Sequence, residues 1–204
     1  MARARTKPKS IRRQEILDAA RKSLITRGYH DVHLDDVAVT AGVSKGAIYL
    51  YFKDKESMFS AVLKDVIDQL EERLKALPTQ GTALDVLSRM AAEMLDFVDE
   101  HQDFLIQFSR EKPDLCGKRA GTVLQERFAG HLRFVANAVE RCFKEGSLRR
   151  HDPALGGLFF ISLVRMFMLQ KIMGQAAGPL RPKADQLMDL FLHGLGGRGA
   201  RPRA

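Results

Sequence analysis

The chain has 204 residues, of which 45% are hydrophobic, so it is long enough to bury a sizeable core. Its formal net charge of +8 favours a polyanionic partner or an anionic surface. Two cysteines are too few for a disulfide framework or a cysteine-rich zinc site. We therefore expect a protein of a reducing cytoplasm.

The excess positive charge lies at the two ends of the sequence. Residues 1–60 hold twelve basic and seven acidic side chains, residues 193–204 hold three basic and no acidic ones, and the stretch between them is neutral. Six of the N-terminal cations precede the first acidic residue: Arg3, Arg5, Lys7, Lys9, Arg12 and Arg13. We expect this basic arm to bind phosphate groups of any nucleic-acid sequence.

No segment has the pattern of a secretory signal or a membrane span. The basic N-terminus is followed by an amphipathic pattern rather than an apolar run. The most apolar stretch, residues 154–169, is short for a bilayer and carries Arg165 near its centre. The sequence therefore predicts a cytoplasmic protein with no membrane partner.

The spacing of apolar residues predicts an all-α fold, because they recur every three or four positions and no stretch alternates as a strand does. Capping and helix-breaking residues, among them Gly28, Ser44, Asp54 and Pro113, define the expected ends. The predicted helices span residues 10–26, 34–41, 45–51, 55–77, 83–100, 102–111, 118–146, 153–176 and 183–195.

Residues 34–51 fit a helix-turn-helix motif. Gly42 supplies the tight turn, and apolar residues on both sides of it can pack the two short helices together: Val37, Ala38, Ala41, Val43, Ile48 and Tyr51. Ser44 is placed to cap the second short helix, which leaves N–H groups near Lys45 and Gly46 for a phosphate or a base edge. We therefore expect the second short helix to face DNA.

The segment from Arg12 to Phe59 resembles the N-terminal domain of the TetR family of bacterial transcriptional regulators. The resemblance rests on Ile16 to Ala20, Gly28-Tyr29, Leu34 to Tyr49 and Tyr51 to Glu56. It implies a three-helix, helix-turn-helix DNA-binding domain, joined by a long helix to a C-terminal helical domain that binds a ligand and dimerises. We expect the DNA-binding domain and its arm in residues 1–56, the effector-binding and dimerisation domain in residues 57–195, and a disordered tail in residues 196–204.

The resemblance also implies roles for residues that match the family pattern. Tyr49 and Lys55 would contact phosphates, Lys45 and Ala47 would face the major groove, and Tyr51 would support the short helix or touch the DNA backbone. Two positions depart from the pattern, since His33 stands where Ser or Thr is common and Ala47 stands where Thr is frequent. Few of these side chains can make paired base contacts, so part of the specificity should come from DNA shape. The predicted DNA contacts are His33, Ser44, Lys45, Gly46, Ala47, Tyr49, Tyr51 and Lys55.

In the resembled family, the last two long helices of each subunit form a dimer interface. The sequence supports such an interface independently, because residues 153–176 are apolar nearly all round and a helix of that kind must be covered on both sides. Residues 183–195 carry a matching apolar stripe. We therefore predict a homodimer through these two helices, bound to a pseudo-palindromic operator on double-stranded DNA.

The helices after residue 83 are rich in phenylalanine and methionine, which suit an apolar or flat aromatic guest and are equally typical of ordinary core. His131 is interpreted either as a ligand contact or as a partly buried structural histidine. Arg165 needs an acidic partner at an interface or an anionic ligand head. The candidate ligand contacts are Met94, Phe97, Phe104, Phe108, Phe128, His131 and Arg165.

These features predict a sequence-specific DNA-binding transcriptional regulator, a repressor released from its operator by a small apolar or aromatic effector. The sequence carries no nucleophile–base pair, metal-ligand spacing or phosphate loop, so we expect no enzyme activity, no metal and no cofactor. The alternatives are a transcriptional activator of the same fold and a helical protein that binds lipids or other small molecules.

Overall fold

A computed structural model describes residues 9–115, 118–175 and 177–194 of the chain. These residues form helices and no strand, so the all-α prediction is confirmed. The helices are α1 (Lys9–Asp31), α2 (Leu34–Thr40), α3 (Lys45–Tyr49), α4 (Lys55–Ala76), α5 (Ala83–Glu100), α6 (Gln102–Leu115), α7 (Lys118–Lys144), α8 (Pro153–Ile172) and α9 (Ala184–His193). A short 3₁₀ turn, Arg181–Lys183, precedes α9.

Side-chain caps determine where several helices begin. The carboxylate of Asp54 accepts the backbone N–H of Ser57 at 2.7 Å, which confirms the predicted cap of α4. Thr82 and Asp85 form a reciprocal capping box at the start of α5, and that helix has the predicted bounds. Because such caps satisfy N–H groups that have no partner within the helix, they are readable from local sequence.

Several predicted helix ends are wrong. α1 breaks at Gly28, as expected, where φ is +80°. A further helical turn follows this break and ends at Asp31. Pro113 does not end α6, which continues for two residues beyond it to Leu115. α8 stops at Ile172 rather than at residue 176, since Gly174 has a φ of +68°.

The chain divides into two compact units, and α4, α6 and α7 contribute residues to both. Unit 1 comprises Met1–Gln69 and Asp103–Arg127, and unit 2 comprises Leu70–Gln102 and Phe128–Ala204. The two units group residues that pack together, and they do not define where DNA binding ends and effector binding begins. The functional division at residues 56 and 57 stays a prediction.

Each unit has its own buried side chains. In unit 1 most of them come from α1 to α4, with Phe104 from α6, and they include Ile16, Leu17, Leu24, Val37, Ile48, Phe59 and Val62. In unit 2 they come from α5 and from the three helices at the C-terminal end, and include Leu87, Met90, Leu95, Val135, Val139, Phe160 and Leu187. Burial of these side chains is the main force that holds each unit together.

The connection between α8 and α9 is attached to α5 by polar contacts. Lys171 Nζ lies 2.9 Å from a carboxylate oxygen of Asp99 and 2.6 Å from the carbonyl oxygen of Gly178. The backbone N–H of Leu180 donates to the same Asp99 carboxylate, and Arg181 pairs with Asp96. The end of α8 and the start of α9 are therefore both fixed to one helix of unit 2.

Candidate nucleic-acid interface

The helix predicted to face DNA, α3, is anchored on one side and uncovered on the other. The Ser44 hydroxyl accepts the backbone N–H of Ala47 at 3.2 Å, so the predicted cap is confirmed. Ile48 is fully buried and holds α3 in unit 1. Ala47 is half-buried, whereas the side chains available to a partner are Ser44, Lys45, Tyr49 and Leu50, together with the exposed backbone of Gly46.

Gly46 is not required by the packing or by the backbone of α3. Its φ lies outside the left-handed region that favours glycine. A Cβ built on it would meet no atom of the described residues within 4 Å. Since glycine inside a helix costs roughly 1 kcal/mol relative to alanine, the fold alone would favour a larger residue here.

Two polar side chains of α3 converge on a carboxylate of α2. Lys45 Nζ lies 2.6 Å from one oxygen of Asp35, and the Tyr49 hydroxyl lies 3.5 Å from the other. The hydrogen bond to Asp35, followed by the attraction between the charges, raises the pKa of Lys45 above its ordinary value. Lys45 is therefore fully charged at neutral pH and has an anionic partner within its own chain.

Lys55, predicted to contact a phosphate, is held by the end of α1. Its Nζ donates to the carbonyl oxygens of Tyr29 and His30, both at 2.8 Å, and lies 4.7 Å from the centre of the Tyr29 ring. These carbonyls follow the break at Gly28, in the last turn of α1. Sequence reasoning missed this bonding, because the residues are far apart along the chain. The phosphate contact stays a prediction.

His33 and Tyr51 have local roles in the same motif. His33 precedes α2 and is exposed; its side chain makes no capping bond, while its carbonyl accepts the N–H groups of Asp36 and Val37. Tyr51 is half-buried beside Phe52, with 6.4 Å between ring centres. Their DNA contacts also stay predictions.

The candidate ligand contacts are divided between the two units. Phe104 and Phe108 belong to unit 1, where the Phe108 ring stacks on Phe104 at 6.4 Å and on Phe59 at 6.2 Å. Met94 and Phe97 are buried in unit 2, and the Phe97 ring lies 4.1 Å from that of His101. Phe104, like Met94 and Phe97, is buried, whereas Phe108 is half-buried.

The remaining ligand candidates differ in exposure. His131 is buried, and loss of solvent lowers its pKa, while the nearby charge of Glu71 acts in the opposite direction. Phe128 and Arg165 are exposed. The assignment of all seven residues to a ligand stays a prediction.

Two cavities occur within unit 2, and none of the seven candidates lines either of them. One of about 480 Å³ has apolar walls from α7, α8 and α9, with Arg149 and His151 beside them. The other, of about 340 Å³, has glutamine and lysine side chains in its wall. Both are bordered by α8, so a partner that covers this helix would also form part of the boundary of each cavity.

α8 has an apolar stripe that stays largely exposed within the described part of the chain. The side chains of this α8 stripe lie on one side of the helix, at helical spacing, and are Leu155, Leu158, Phe159, Met166, Leu169 and Met173 just beyond the helix end. Among the described helices, α8 is the one long and apolar enough to cross a membrane by length and composition, with 28% of its apolar window buried. One such helix is weak evidence for a membrane span, because the core helices of globular proteins can have the same length and composition.

The described residues contain no group of three or more metal-ligating side chains. Cys142 is buried, and burial raises the pKa of its thiol to about 11, which makes it a poor nucleophile at neutral pH. The absence of enzyme activity and of a metal stays a prediction.

Comparison with known proteins identifies the family. Residues 16–62 match the family model of bacterial regulatory proteins, tetR family. The uncharacterized HTH-type transcriptional regulator YhgD of Bacillus subtilis is 27% identical over 153 residues, which cover 74% of this chain and 80% of that protein. The HTH-type transcriptional regulator BetI of Escherichia coli is 41% identical over 78 residues, which cover 36% of this chain and 40% of that protein. Residues 16–62 therefore carry the TetR-family domain. Together these matches support a DNA-binding transcriptional regulator of that family.

Solved structures agree with this TetR-family regulator in fold. The transcriptional regulator FadR from Bacillus subtilis, in complex with stearoyl-CoA, has a TM-score of 0.76 at 21% identity and covers 90% of this chain and 100% of its own. A protein from Saccharomonospora viridis in complex with choline has a TM-score of 0.76 at 21% identity, covering 91% and 97%. The prediction of an N-terminal helix-turn-helix domain followed by a helical C-terminal domain is confirmed.

Two strongly exposed apolar residues lie within the matched motif and are not among the predicted DNA contacts. Val39 of α2 is 82% exposed and Leu50, just after α3, is 83% exposed. Leu50 stands between two tyrosines of the motif, which could have identified it. Val39 has no comparable local signal, because its exposure depends on how α2 packs.

The two basic ends of this regulator lie partly outside the described residues. Arg3, Arg5 and Lys7 lie outside them, as do residues 196–204, the predicted tail. Lys9 and Arg13 belong to α1, as does Arg12, whose guanidinium lies 3.4 Å from the Glu15 carboxylate. The basic arm is therefore partly helical, and its phosphate binding stays a prediction.

Proposed function

We propose that this regulator is a homodimeric repressor of the cytoplasm, with no enzyme activity, that reads a pseudo-palindromic operator through α3. A small apolar or aromatic effector releases it. The proposed DNA contacts are those of the motif: His33, Ser44, Lys45, Gly46, Ala47, Tyr49, Tyr51 and Lys55.

The observation that carries the DNA-reading role is Gly46. A helical glycine that is exposed, faces open space and has no left-handed φ lowers stability with no benefit to the fold. A surface that approaches the backbone of α3 closely accounts for it. The neighbouring Lys45 and Tyr49 carry the donor groups that DNA phosphates and base edges accept.

The α8 stripe supports the homodimer. An exposed apolar stripe of this length needs a cover, which is either lipid or protein. Arg165, exposed near the middle of α8, would be costly inside a bilayer but is typical of a protein interface. In a dimer, the two copies of α3 would then enter successive major grooves roughly 34–36 Å apart.

The effector proposal rests on the fold and on two solved structures of similar fold that contain stearoyl-CoA and choline. The proposed ligand contacts are Met94, Phe97, Phe104, Phe108, Phe128, His131 and Arg165. α4 is one continuous helix with residues in both units, so a change at one of its ends can alter the other. The effector must bind the DNA-free arrangement better than the DNA-bound one, since differential affinity alone shifts such an equilibrium.

A gel shift on the DNA upstream of the protein's own gene tests this function. We expect a specific complex that survives an excess of random DNA and is lost in Tyr49→Ala. Repression is tested with a reporter gene under the same upstream region. Equal affinity for upstream and random DNA, or a reporter that is activated, would contradict the proposal.

A further inference from the structure

Asp35 connects the two helices of the motif at the surface proposed to face DNA. Each of its carboxylate oxygens has a different partner on α3, with Lys45 Nζ at 2.6 Å and the Tyr49 hydroxyl at 3.5 Å. Lys45 and Tyr49 are four residues apart and so lie on one face of the helix. The Lys45 side chain is 68% exposed and that of Asp35 is 48% exposed, so DNA can reach the pair.

The Lys45–Asp35 ion pair affects which DNA sequences can bind α3 favourably. A free lysine binds any phosphate, because the backbone charge is the same in every sequence. Lys45 already has an anionic partner, so a phosphate has to displace a carboxylate that then remains beside a polyanion. A base step that offers a guanine acceptor to Lys45 and a cytosine amine to Asp35 satisfies both groups at once.

We propose that Asp35 is a specificity-determining residue that holds Lys45 and Tyr49 and thereby suppresses binding to DNA of arbitrary sequence. This inference rests on the proposed DNA-reading role of α3. Asp35 acts as a positioning residue on the free protein, and its carboxylate weakens every complex that leaves it without a donor. The exposed pair is screened by solvent, so the effect amounts to about two- to fivefold in affinity per protomer.

The neighbouring Asp36 provides a matched control. It lies in the same first turn of α2, but its carboxylate bonds to Arg27 of α1 at 2.8 Å rather than to α3. Asp35→Asn and Asp36→Asn remove the same charge from adjacent positions and keep the side-chain size. A difference between them therefore reports the contact with α3 and not the net charge.

The experiment measures binding by fluorescence anisotropy over a series of salt concentrations. The probes are a duplex of random sequence and a duplex that the wild-type protein selects from a random pool. Asp35→Asn should bind the random duplex more tightly than the wild type. The slope of the logarithm of its affinity against the logarithm of the salt concentration should be steeper by about 0.9 for each lysine released. Its preference for the selected duplex should fall, whereas that of Asp36→Asn should change less.

A second variant separates the inference from a folding defect. In a Lys45→Met background, Asp35→Asn should lose most of its gain on random DNA, because no lysine remains to be released. Equal changes in Asp35→Asn and Asp36→Asn, unchanged binding of random DNA, or a gain that persists without Lys45 would overturn the inference.

The same binding measurements distinguish a failure of the proposed DNA-reading function from a failure of the inference about Asp35. If the wild type selects no sequence from the pool, or if Tyr49→Ala binds the selected duplex normally, α3 does not read DNA and both proposals fail. If the wild type selects a sequence that Tyr49→Ala loses while Asp35→Asn equals the wild type on both probes, the inference about Asp35 alone fails.

Discussion

At the scale of single residues, the motif contains glycines of opposite kinds. Gly42 has a φ of +64°, a conformation that residues with a Cβ adopt at a cost, so the turn between α2 and α3 requires it. Gly46 has no such φ and faces open space, so the fold does not require it. The same residue type therefore serves folding at one position and, as we propose, recognition at the other.

Gly46→Ala should stabilise the protein and weaken its binding to DNA. Alanine removes backbone freedom from the unfolded chain, which stabilises the fold by about 0.5–1 kcal/mol. The new methyl group projects toward the partner and should lower the affinity for the selected duplex. Thermal unfolding and anisotropy measure the two effects. Gly42→Ala is the control and should lose stability, because alanine is strained at a positive φ. A destabilised Gly46→Ala, or one with normal DNA binding, would contradict the prediction.

His131 should make stability depend on pH. Burial lowers its pKa in the folded protein below the ordinary value of 6.5, with the charge of Glu71 opposing this. Below about pH 6.5 the unfolded chain therefore binds a proton that the folded protein binds only at lower pH, so acidification favours unfolding. As the pH is lowered, the free energy of unfolding, measured with urea, should decrease more steeply in the wild type than in His131→Asn. Identical pH dependence in the two proteins would refute this role.

At the scale of elements, α7 and α8 can approach closely because α8 carries two adjacent glycines. A Cβ on Gly157 would lie 3.0 Å from the backbone nitrogen of Ala136 on α7, and a Cβ on Gly156 would lie 2.8 Å from a methyl carbon of Val139. The first contact involves backbone, which cannot rotate away as a side chain can. Helix propensity alone would place larger residues at both positions.

Gly157→Ala should destabilise unit 2 even though alanine is the better helix former. Gly130→Ala in α7 is the matched control, because a Cβ there meets Glu71 at an ordinary distance of 3.7 Å. We expect Gly130→Ala to be neutral or stabilising by up to about 1 kcal/mol, and Gly157→Ala to cost about 1–3 kcal/mol through overpacking. Urea denaturation of both variants tests this, and equal stabilities would show that the close approach of the helices is unimportant.

At the scale of the whole molecule, the main feature is that α8 is apolar on two sides. Its inner side packs Phe160, Ile161, Val164 and Phe167 into unit 2. Its outer side carries the α8 stripe and borders an apolar cavity of about 480 Å³. Both sides are apolar, and packing within the described part of the chain leaves the α8 stripe largely exposed.

Leu158→Glu should convert the proposed dimer into a monomer, because a charge in the α8 stripe cannot be buried against a second copy without a partner. Light scattering coupled to size-exclusion chromatography should show the change in mass, and affinity for the selected duplex should fall. Asn137→Glu, at an exposed position of α7, adds the same charge outside the stripe and should leave the mass unchanged. A wild-type protein that is monomeric at micromolar concentration would contradict the interface itself.

Much of the fold was predictable because helices are local structures. Their hydrogen bonds join residues four apart, and their ends depend on caps such as Ser44 and Asp54 that act within three residues. The helix ends that were predicted wrongly, at Pro113 and before Gly174, lie where a breaking residue stands near a terminus and one or two hydrogen bonds decide the boundary.

The sequence by itself determined the helical class, the motif in residues 34–51, the family and the location of the net charge, since each depends on neighbours along the chain. The tertiary structure alone decided which side chains meet across it. The carbonyl oxygens that hold Lys55 are 25 and 26 residues away, and the carboxylate that holds Lys45 is 10 residues away. It also decided which side of α8 is left uncovered, because helical periodicity predicts the apolar positions of a helix, whereas packing against distant segments decides which of them are buried.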